Sequence, residues 1–369
     1  MINRSFWQGK RVFLTGHTGF KGSWLSLWLS QMGAKVTGYA LAPATIPSLF
    51  EVCQVNKLVD SHIGDISDFA KLSSLLDETN PDIVIHMAAQ PFVGESYNDP
   101  VGTFQTNVMG TVHLFEAIRL AVQKGSNIKA VVNVTTDKCY DNKEWVWGYR
   151  ETDSLGGKDP YSASKACSEL VTNSYRESFF PPSKIAEHGV AVASARAGNV
   201  IGGGDWSTER LIPQCLDSLL TNKPIFLRRP NAIRPWQHVL EPLSGYLLVA
   251  EKLYEQGELF AQPWNFGPDF DDCQPVGLVV DRVKNLWGGK LQVEKYQQPL
   301  YQESDLLMLD CAKSKSLLGW QPVWRLDRAL EKIVEWHKAH EKNDNILTIS
   351  IQQIEQFMIE QGSRNHSNG

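Results

Sequence analysis

The feature that most constrains the fold is a glycine-rich loop between an apolar strand and an apolar helix near the start of the chain. Residues 11–15 predict a short buried strand, and the apolar run 24–32 predicts a helix. Between them, Gly16, Gly19 and Gly22 have the spacing G-x-x-G-x-x-G. Gly16 permits a tight turn, Gly19 lets backbone approach a pyrophosphate, and Gly22 lets the helix pack on the strand. This order of elements predicts a dinucleotide site at the helix N-terminus.

Further candidate cofactor residues lie in this loop and after the next two strands. Within the loop the candidates are Gly16, His17, Gly19, Phe20, Lys21 and Gly22, and Lys21 suits either an additional phosphate or the pyrophosphate itself. The strand 35–40 is followed by no Asp or Glu, so the choice between NAD and NADP stays open. The stretch 61–66 predicts a third strand end, with Asp65 and Ile66 near the adenine. The alternative for Asp65 is a cap of the helix 69–76.

Alternating strands and helices continue through the first half of the chain. The runs 82–86 and 130–134 predict a fourth and a fifth strand, separated by a helical pattern over 104–122 that contains Asn107. This alternation predicts an α/β fold with a doubly wound parallel sheet. The small residues after the fourth strand would let its loop lie against a flat cofactor, and the candidates there are Ala88, Ala89 and Gln90. The fifth strand delivers residues 135–138 to the carboxyl edge, where ligands of such sheets bind.

Tyr161 and Lys165 form the candidate reacting pair. Pro160 suits the first turn of a helix, so the residues after it are expected to be helical. Positions i and i+4 share a helix face, which places the phenol beside the ammonium. A neighbouring cation favours the phenolate, and a phenol tuned in this way can take the proton of an alcohol whose hydride leaves for a nicotinamide.

Composition excludes several classes of function. The chain has 369 residues and a net charge of −5, which gives no general footprint for nucleic acid. Its six cysteines contain no C-x-x-C pair, so we expect reduced thiols and no metal site. We find neither a signal peptide in residues 1–11 nor an apolar run long enough to span a membrane, and we expect a cytoplasmic protein that acts on a small molecule.

Taken together, the glycine loop, Asn107, Thr135, Tyr161 and Lys165 resemble the extended short-chain dehydrogenase/reductase family. The resemblance runs to about residue 320. It implies a Rossmann sheet that binds NAD, with Tyr161 as the base and Lys165 lowering its pKa and holding the nicotinamide ribose. It also implies that Thr135 hydrogen-bonds the reacting sugar hydroxyl.

Asp137 and Lys138 narrow the resemblance to the nucleotide-sugar 4,6-dehydratases. That group carries an Asp-Glu pair here, in which Asp serves as acid toward the C6 hydroxyl, whereas 4-epimerases have small neutral residues. In this chain Lys138 replaces the Glu. The Asp-Lys variant implies CDP-glucose as substrate, with dTDP-glucose or GDP-mannose as alternatives, and it leaves open which residue removes the C5 proton. An exposed ion pair is the competing interpretation of the two residues.

The second half of the chain holds the candidate substrate residues Asn199, Arg210, Arg234 and His238. Arginine forks match phosphate oxygens, which favours a nucleotide diphosphate at the basic-aromatic stretch 227–239. By resemblance, Asn199 contacts the diphosphate, Arg234 grips the pyrophosphate, and His238 begins a helix that covers the site.

The expected organisation follows from the same resemblance. Residues 1–195 are expected to form mainly the Rossmann domain and 196–362 mainly an interleaved α/β lobe for the nucleotide sugar, of which a part after 230 returns to the Rossmann domain; 363–369 is expected to be a tail. The resemblance implies at least a homodimer, with a tetramer left open, and a supply of deoxysugar for a bacterial lipopolysaccharide O-antigen. A 4-epimerase and a non-catalytic NAD-sensing protein are the alternative functions.

Overall fold

The chain folds around a parallel seven-stranded sheet in the order β11-β6-β5-β4-β1-β2-β3. The structure is a computed structural model that describes residues 1–295 and 304–367. Its strands are β1 Arg11–Thr15, β2 Lys35–Ala40, β3 Asp60–Ile63, β4 Ile83–His86, β5 Ala130–Val134, β6 Ala191–Ala197, β7 Val200–Ile201, β8 Ile225–Leu227, β9 Ile233–Pro235, β10 Gln237–His238, β11 Pro263–Phe266, β12 Cys273–Pro275 and β13 Val293–Lys295. All neighbours in the central sheet pair in parallel. The predicted doubly wound sheet is therefore confirmed.

Helices connect these strands and cover both faces of the sheet. They are α1 Arg4–Trp7, α2 Phe20–Gln31, α3 Leu49–Val52, α4 Phe69–Thr79, α5 Val93–Asn98, α6 Pro100–Phe104, α7 Gly110–Gln123, α8 Pro160–Ser178, α9 Ile185–His188, α10 Leu211–Thr221, α11 Leu240–Phe260, α12 Val276–Trp287, α13 Ala312–Leu318, α14 Leu326–Glu341 and α15 Ile346–Ser367. The helix predicted over 104–122 is interrupted, because a π-helical turn at Gln105–Met109 separates α6 from α7. Such turns insert an extra residue and occur often at functional sites.

Two cores lie on opposite faces of the central sheet. Along β1, Val12 and Leu14 pack in the core that includes Trp24 of α2, whereas Phe13 packs in the core that includes Ile118 of α7. The alternation follows from the strand period of two. Every residue of β5 is buried, as expected for a strand covered on both faces. The carboxyl edge of the sheet is consequently held rigidly by the packing of both cores.

A smaller lobe follows β6. Three two-stranded sheets form it, pairing β7 with β10, β9 with β12 and β8 with β13. Its own core joins α10 and α12 to α14 through Ile212, Val280 and Leu330. The chain returns to the central sheet through β11, which pairs with β6. Helix α15 continues to Ser367, so residues 363–367 of the expected tail are helical, and 368–369 lie outside the described residues.

No helix in 1–295 or 304–367 combines the length and apolar character needed to cross a bilayer. All six cysteines are free thiols.

Candidate active site

A cavity of about 800 Å³ lies along the carboxyl edge of the central sheet. It extends from the loop after β1, past the ends of β4, β5 and β6, to β8 and β9 of the smaller lobe. The strand order reverses between β1 and β4 at this edge, which is where open α/β sheets bind ligands. The sequence-predicted residues that line the cavity are Gly16, Gly19, Phe20, Lys21, Gly22, Asp65, Ile66, Ala88, Ala89, Thr135, Asp137, Lys138, Tyr161, Lys165, Asn199, Arg210 and Arg234. The other four candidates, His17, Gln90, Asn107 and His238, do not line it.

Two glycines of the loop, Gly16 and Gly22, leave no room for a side chain. Gly16 has a φ of +78°, and a Cβ atom on it would lie 2.7 Å from the backbone nitrogen of Ala88. A Cβ atom on Gly22 would lie 2.0 Å from the carbonyl oxygen of Gly16. Helix α2 begins at Phe20, and Gly19 as its N-cap provides no side-chain cap. The first turn of α2 therefore offers backbone N–H groups and a partial positive charge to an anion.

His17 supports this loop from behind, and its predicted side-chain contact with the cofactor is wrong. The ring is fully buried, and its Nε2 lies 2.7 Å from the hydroxyl of Ser61. It packs on Gly38, where a Cβ atom would lie 2.3 Å from the ring. Burial and the nearby His62 lower the pKa of His17 to about 4, so the ring is neutral at physiological pH. Its bulk holds the glycine loop against β2.

Asn107 and Gln90 also lie behind the cavity, which corrects their predicted contact with the cofactor. The Asn107 amide accepts a hydrogen bond from the Gln90 backbone N–H at 2.8 Å and donates to the Gln90 carbonyl at 3.0 Å. It also donates to the Ser164 hydroxyl at 2.9 Å. Asn107 can reach both because it lies in the π-helical turn. It thereby fixes the loop that carries Ala88 and Ala89 to helix α8.

Asp65 lines the far end of the cavity and does not cap a helix. Asp68 caps α4 instead, accepting from the Lys71 backbone N–H at 3.1 Å. The Asp65 carboxylate accepts from the Ser67 backbone N–H at 2.8 Å, and its carbonyl accepts from the Tyr39 hydroxyl at 2.9 Å. The capping alternative is therefore wrong, and the position expected for an adenine contact remains available.

Tyr161 and Lys165 project from the first turns of α8. Asp159 caps this helix by accepting from the Ser162 backbone N–H at 2.9 Å. Lys165 donates to the Val134 carbonyl at 3.4 Å, and burial lowers its pKa to about 8. Burial raises the pKa of Tyr161 well above its ordinary value. Within the protein alone the phenol is therefore protonated at neutral pH, and its tuning by Lys165 stays a prediction.

The two threonines after β5 point in opposite directions, and this corrects the role expected for Thr135. The Thr135 hydroxyl donates to the buried carboxylate of Glu169, on the side of α8. The Thr136 hydroxyl donates to Asp137 Oδ1 at 2.9 Å and lies beside the Tyr161 phenol. Successive residues of an extended chain face opposite sides, so only one of the pair can face the reacting groups. That residue is Thr136.

Asp137 is a buried acid at the centre of the cavity. Its side chain is 1% exposed, and within the described part of the chain its Oδ2 has no hydrogen-bond partner. A Cβ atom on Gly198 would lie 2.8 Å from that oxygen, so only glycine leaves space beside it. Lys138 is partly exposed on the cavity wall, and no ion pair joins it to Asp137 among the described residues. The interpretation of an exposed ion pair is therefore wrong.

Lys21 extends from the glycine loop toward the reacting groups. Its ammonium donates to the Tyr246 hydroxyl of α11 at 2.8 Å. Burial lowers the pKa of Lys21 to about 7, and the positive charges of Arg210 and Lys165 add to this effect. Lys21 therefore belongs to the catalytic end of the cavity.

Cationic side chains from the smaller lobe also reach the cavity. Arg210 precedes α10 and is held by Asp205 at 2.9 Å, with its guanidinium 5.8 Å from the ring centre of Phe20. Arg234 donates to the carbonyl of Ile233 at 3.0 Å. Both line the cavity, where guanidinium groups match the oxygens of a diphosphate.

His238 lies in the core and does not line the cavity, so the predicted substrate contact is not observed, whereas its predicted place at the start of a helix is. It is fully buried, with its ring centre 4.8 Å from that of Trp324 and 6.2 Å from that of Trp24. Its Nδ1 accepts from the Leu240 backbone N–H at 3.3 Å, so it caps the start of α11. Burial, assisted by Lys332, lowers its pKa to about 3.

The comparison with protein families identifies the class. The GDP-mannose 4,6-dehydratase family matches residues 13–333. The chain belongs to this family.

Relatives of this family differ in how closely they match. The CDP-glucose 4,6-dehydratase of Salmonella typhimurium is 55% identical over 97% of this chain and 99% of its own length. The dTDP-glucose 4,6-dehydratase of Xanthomonas campestris is 25% identical over 89% of this chain and 93% of its own.

Solved structures confirm the family's fold. The UDP-glucose 4-epimerase of Thermotoga maritima superposes with a TM-score of 0.76 at 21% identity, covering 90% of this chain and 99% of that one. The dTDP-glucose 4,6-dehydratase of Bacillus anthracis, in complex with NAD, gives 0.74 at 21% identity, covering 92% and 100%.

Three functional positions of this dehydratase site escape the sequence argument. Thr136 could have been found from the alternation of β5, which turns Asn133 and Thr135 toward α8 and leaves Thr136 for the other side. Glu169 could have been found as the next turn of α8 after Lys165. Tyr246 carries no local signal, since it reaches Lys21 from a helix far along the chain.

Proposed function

We propose that this chain converts CDP-glucose to CDP-4-keto-6-deoxyglucose and water, with NAD as a hydride carrier that is regenerated in each turnover. The observation that carries the reaction type is Asp137, a buried carboxyl group in the same cavity as Tyr161, whose Oδ2 has no hydrogen-bond partner among the described residues. Carrying a proton when the substrate is bound, this group can serve as the acid. Dehydration needs an acid for the departing C6 hydroxyl, whereas epimerisation has no leaving hydroxyl. The nucleotide rests on the 55% identity to the Salmonella enzyme over nearly the full length of both chains.

The residues present fit a dinucleotide cofactor. The glycine loop and the start of α2 would hold the pyrophosphate, because any side chain at Gly16 or Gly22 would collide with backbone. Asp65 would face the adenine ribose, and Lys165 would face the nicotinamide ribose. When bound, NAD supplies a hydride acceptor for C4 and the donor that later reduces C6.

The chain's own groups move the protons. Tyr161, which lies beside Thr136, takes the proton of the C4 hydroxyl. A carbonyl at C4 acidifies the C5 proton, so water can be eliminated across C5 and C6. Asp137 delivers a proton to the C6 hydroxyl as it leaves, and its burial excludes bulk water from this step. Two lysines of the cavity wall, Lys138 and Lys21, are the candidates for the C5 proton.

The substrate diphosphate would lie at the smaller-lobe end of the cavity. Arg210 and Arg234 would pair with its oxygens, and Asn199 would lie beside it. Residues 1–195 would then serve mainly the cofactor and 196–362 mainly the nucleotide sugar, with β11 returning to the central sheet.

The proposal extends to assembly and location. On α8, the side chain of Leu170 is 58% exposed, and Met109, just before α7, is 40% exposed. A second copy that pairs through these helices would cover them, so we expect a homodimer, and free thiols suit the cytoplasm. Size-exclusion chromatography with light scattering would test the dimer, and a monomer would exclude it.

The purified protein should be incubated with NAD and, in turn, CDP-glucose, dTDP-glucose and GDP-mannose. We expect a 4-keto-6-deoxy product, detected by its alkaline absorbance, from CDP-glucose alone and with no net reduced cofactor. Product from another nucleotide would retain the reaction and overturn the substrate. Absence of keto product from all three, or stoichiometric NADH, would overturn the dehydratase.

A further inference from the structure

One buried carboxylate joins α8 and β5, the two elements that carry the reacting groups, to the neighbouring strand β6. Glu169 is 4% exposed and lies one helical turn after Lys165 on α8. It accepts hydrogen bonds from Thr135 at the end of β5, and from the hydroxyl of Ser194 on β6 at 2.6 Å. It also forms an ion pair with Arg196 of β6 at 2.8 Å.

This arrangement has only one consistent pattern of donors. An ionised carboxylate donates nothing, so Thr135, Ser194 and Arg196 must all donate to Glu169. Burial alone would raise the pKa of Glu169, but the charge and the hydrogen bonds of Arg196, with those of Ser194 and Thr135, hold it below its ordinary value. The carboxylate is therefore ionised at neutral pH.

A buried ion pair is a poor device for stability alone. Its desolvation cost can exceed its Coulombic gain, and apolar replacements of similar volume are often neutral or stabilising. This pair lies directly beneath the strand end that leads into Thr136 and Asp137. Arg196 extends the connection, donating to the Tyr140 hydroxyl at 2.8 Å just after those residues.

We propose that Glu169 is a positioning residue of the reaction proposed above. Its carboxylate holds the end of β5 and the strand β6 against α8, so that Tyr161 and Lys165 on the helix stay in register with Thr136 and Asp137. Its negative charge also lies one turn from the Lys165 ammonium. Glu169 does not line the cavity, so it acts through these neighbours and not on the ligand.

The charge of Glu169 affects the pKa of Lys165, which a merely structural role would not do. Burial lowers the pKa of Lys165 to about 8, and Glu169 opposes that effect. The other titratable groups that face Lys165 are Cys139 from the turn after β5, His86 from β4 and Lys21 from α2. His86 is neutral because burial and Lys165 lower its pKa to about 3. Loss of the Glu169 charge should therefore lower the pKa of Lys165 further.

The decisive variant is Glu169→Gln, with Glu251→Gln as the matched control. Glu251 is a second buried carboxylate, and it accepts from Asn3 and Trp7 in the N-terminal segment. For Glu169→Gln we expect kcat to fall about tenfold or more, the factor that corresponds to a hydrogen bond to a charged group. KM for CDP-glucose should change little, and the alkaline limb of the kcat profile should move to lower pH. Equilibrium titration with NAD should show the same pH shift in affinity.

Glu251→Gln should leave kcat and both pH profiles unchanged. A folded Glu169→Gln protein with the wild-type kcat and alkaline limb would overturn the proposal. Should that variant fail to fold, Glu169→Asp decides. It keeps the charge but shortens the reach, so it should lower kcat without moving the alkaline limb, and a wild-type kcat would contradict us. Wild-type protein measured in parallel separates the outcomes, because failure to turn over CDP-glucose would refute the proposed function and not the role of Glu169.

Discussion

Valine in place of Thr136, compared with valine in place of Thr135, tests the central geometry of the site. The two substitutions are chemically identical, since each replaces a hydroxyl with a methyl group at nearly constant volume. The Thr136 hydroxyl donates to Asp137 at 2.9 Å and lies beside the Tyr161 phenol. The Thr135 hydroxyl donates to Glu169 beneath the strand end. Adjacent positions therefore provide each other's control.

The expected magnitudes differ because the partners differ. Thr136→Val removes a positioned hydrogen-bonding group between the acid and the phenol, and losses of this kind lower kcat by about 10²–10³. Thr135→Val removes one of three side-chain donors to Glu169, the others being Ser194 and Arg196. We expect it to destabilise the fold by about 1.5–3 kcal/mol. Its kcat should stay within about tenfold of wild type because two donors still hold the carboxylate.

Steady-state kinetics with CDP-glucose and thermal unfolding would measure both effects, and Thr136→Ser should restore most of the activity because it returns the hydroxyl. Equal losses of kcat in the two valine variants would refute the assignment of Thr136. So would a larger loss in Thr135→Val than in Thr136→Val, provided that both proteins are folded.

Three further predictions concern the acid, the glycine loop and a buried carboxylate. Asp137→Asn should slow keto-product formation by about 10²–10⁴ while C4 oxidation continues, so that reduced nicotinamide accumulates in a stopped-flow experiment; no accumulation would contradict the role of Asp137 as acid. Gly22→Ala, whose Cβ would lie 2.0 Å from the Gly16 carbonyl, should lower stability by about 3 kcal/mol or more, and in thermal unfolding Gly19→Ala, whose nearest contact is 3.4 Å, should be milder. Burial raises the folded-state pKa of Glu251 from 4.5 to about 7, so its contribution to stability is complete below pH 4.5 and is lost as the pH rises through 7. The melting temperature of Glu251→Gln should therefore fall less than that of wild type between about pH 5 and pH 8, and parallel profiles would show that the carboxyl does not titrate this way.

The sheet and the dinucleotide loop could be predicted from the sequence because their signals are local. Strands β1 and β5 are short apolar runs, and the glycines have spacings that only a tight turn onto a helix explains. The pair Tyr161 and Lys165 was likewise readable, since Pro160 marks the start of α8. In each case the residues that determine the local conformation lie within a few positions of the functional residue.

The errors arise where a polar residue serves another residue instead of a ligand. His17 lies within the glycine loop, yet the absence of a side chain at Gly38 makes space for its ring behind that loop. The sequence predicts Asn107 as a cofactor residue, but the π-helical turn directs its amide to the backbone of Gln90. His238 lies near the end of the basic stretch, and the two tryptophans that pack on it are Trp24 of α2 and Trp324. These partners are distant in sequence, so no local spacing of residues predicts the contacts.

At the end of β5, strand alternation rather than residue type determines which residues support the fold and which face the reacting groups. Asn133 and Thr135 face α8, where they bond to Thr172 and Glu169. Thr136 faces the cavity and bonds to Asp137 instead. A threonine is equally suited to either side, so composition cannot distinguish the two positions, whereas a register shift of one residue would exchange them. Because β5 is buried on both faces and paired on both edges, that register is strongly specified. The placement of the Thr136 hydroxyl is therefore a property of the whole sheet. Changes in the core beneath β5 should affect catalysis before they affect binding.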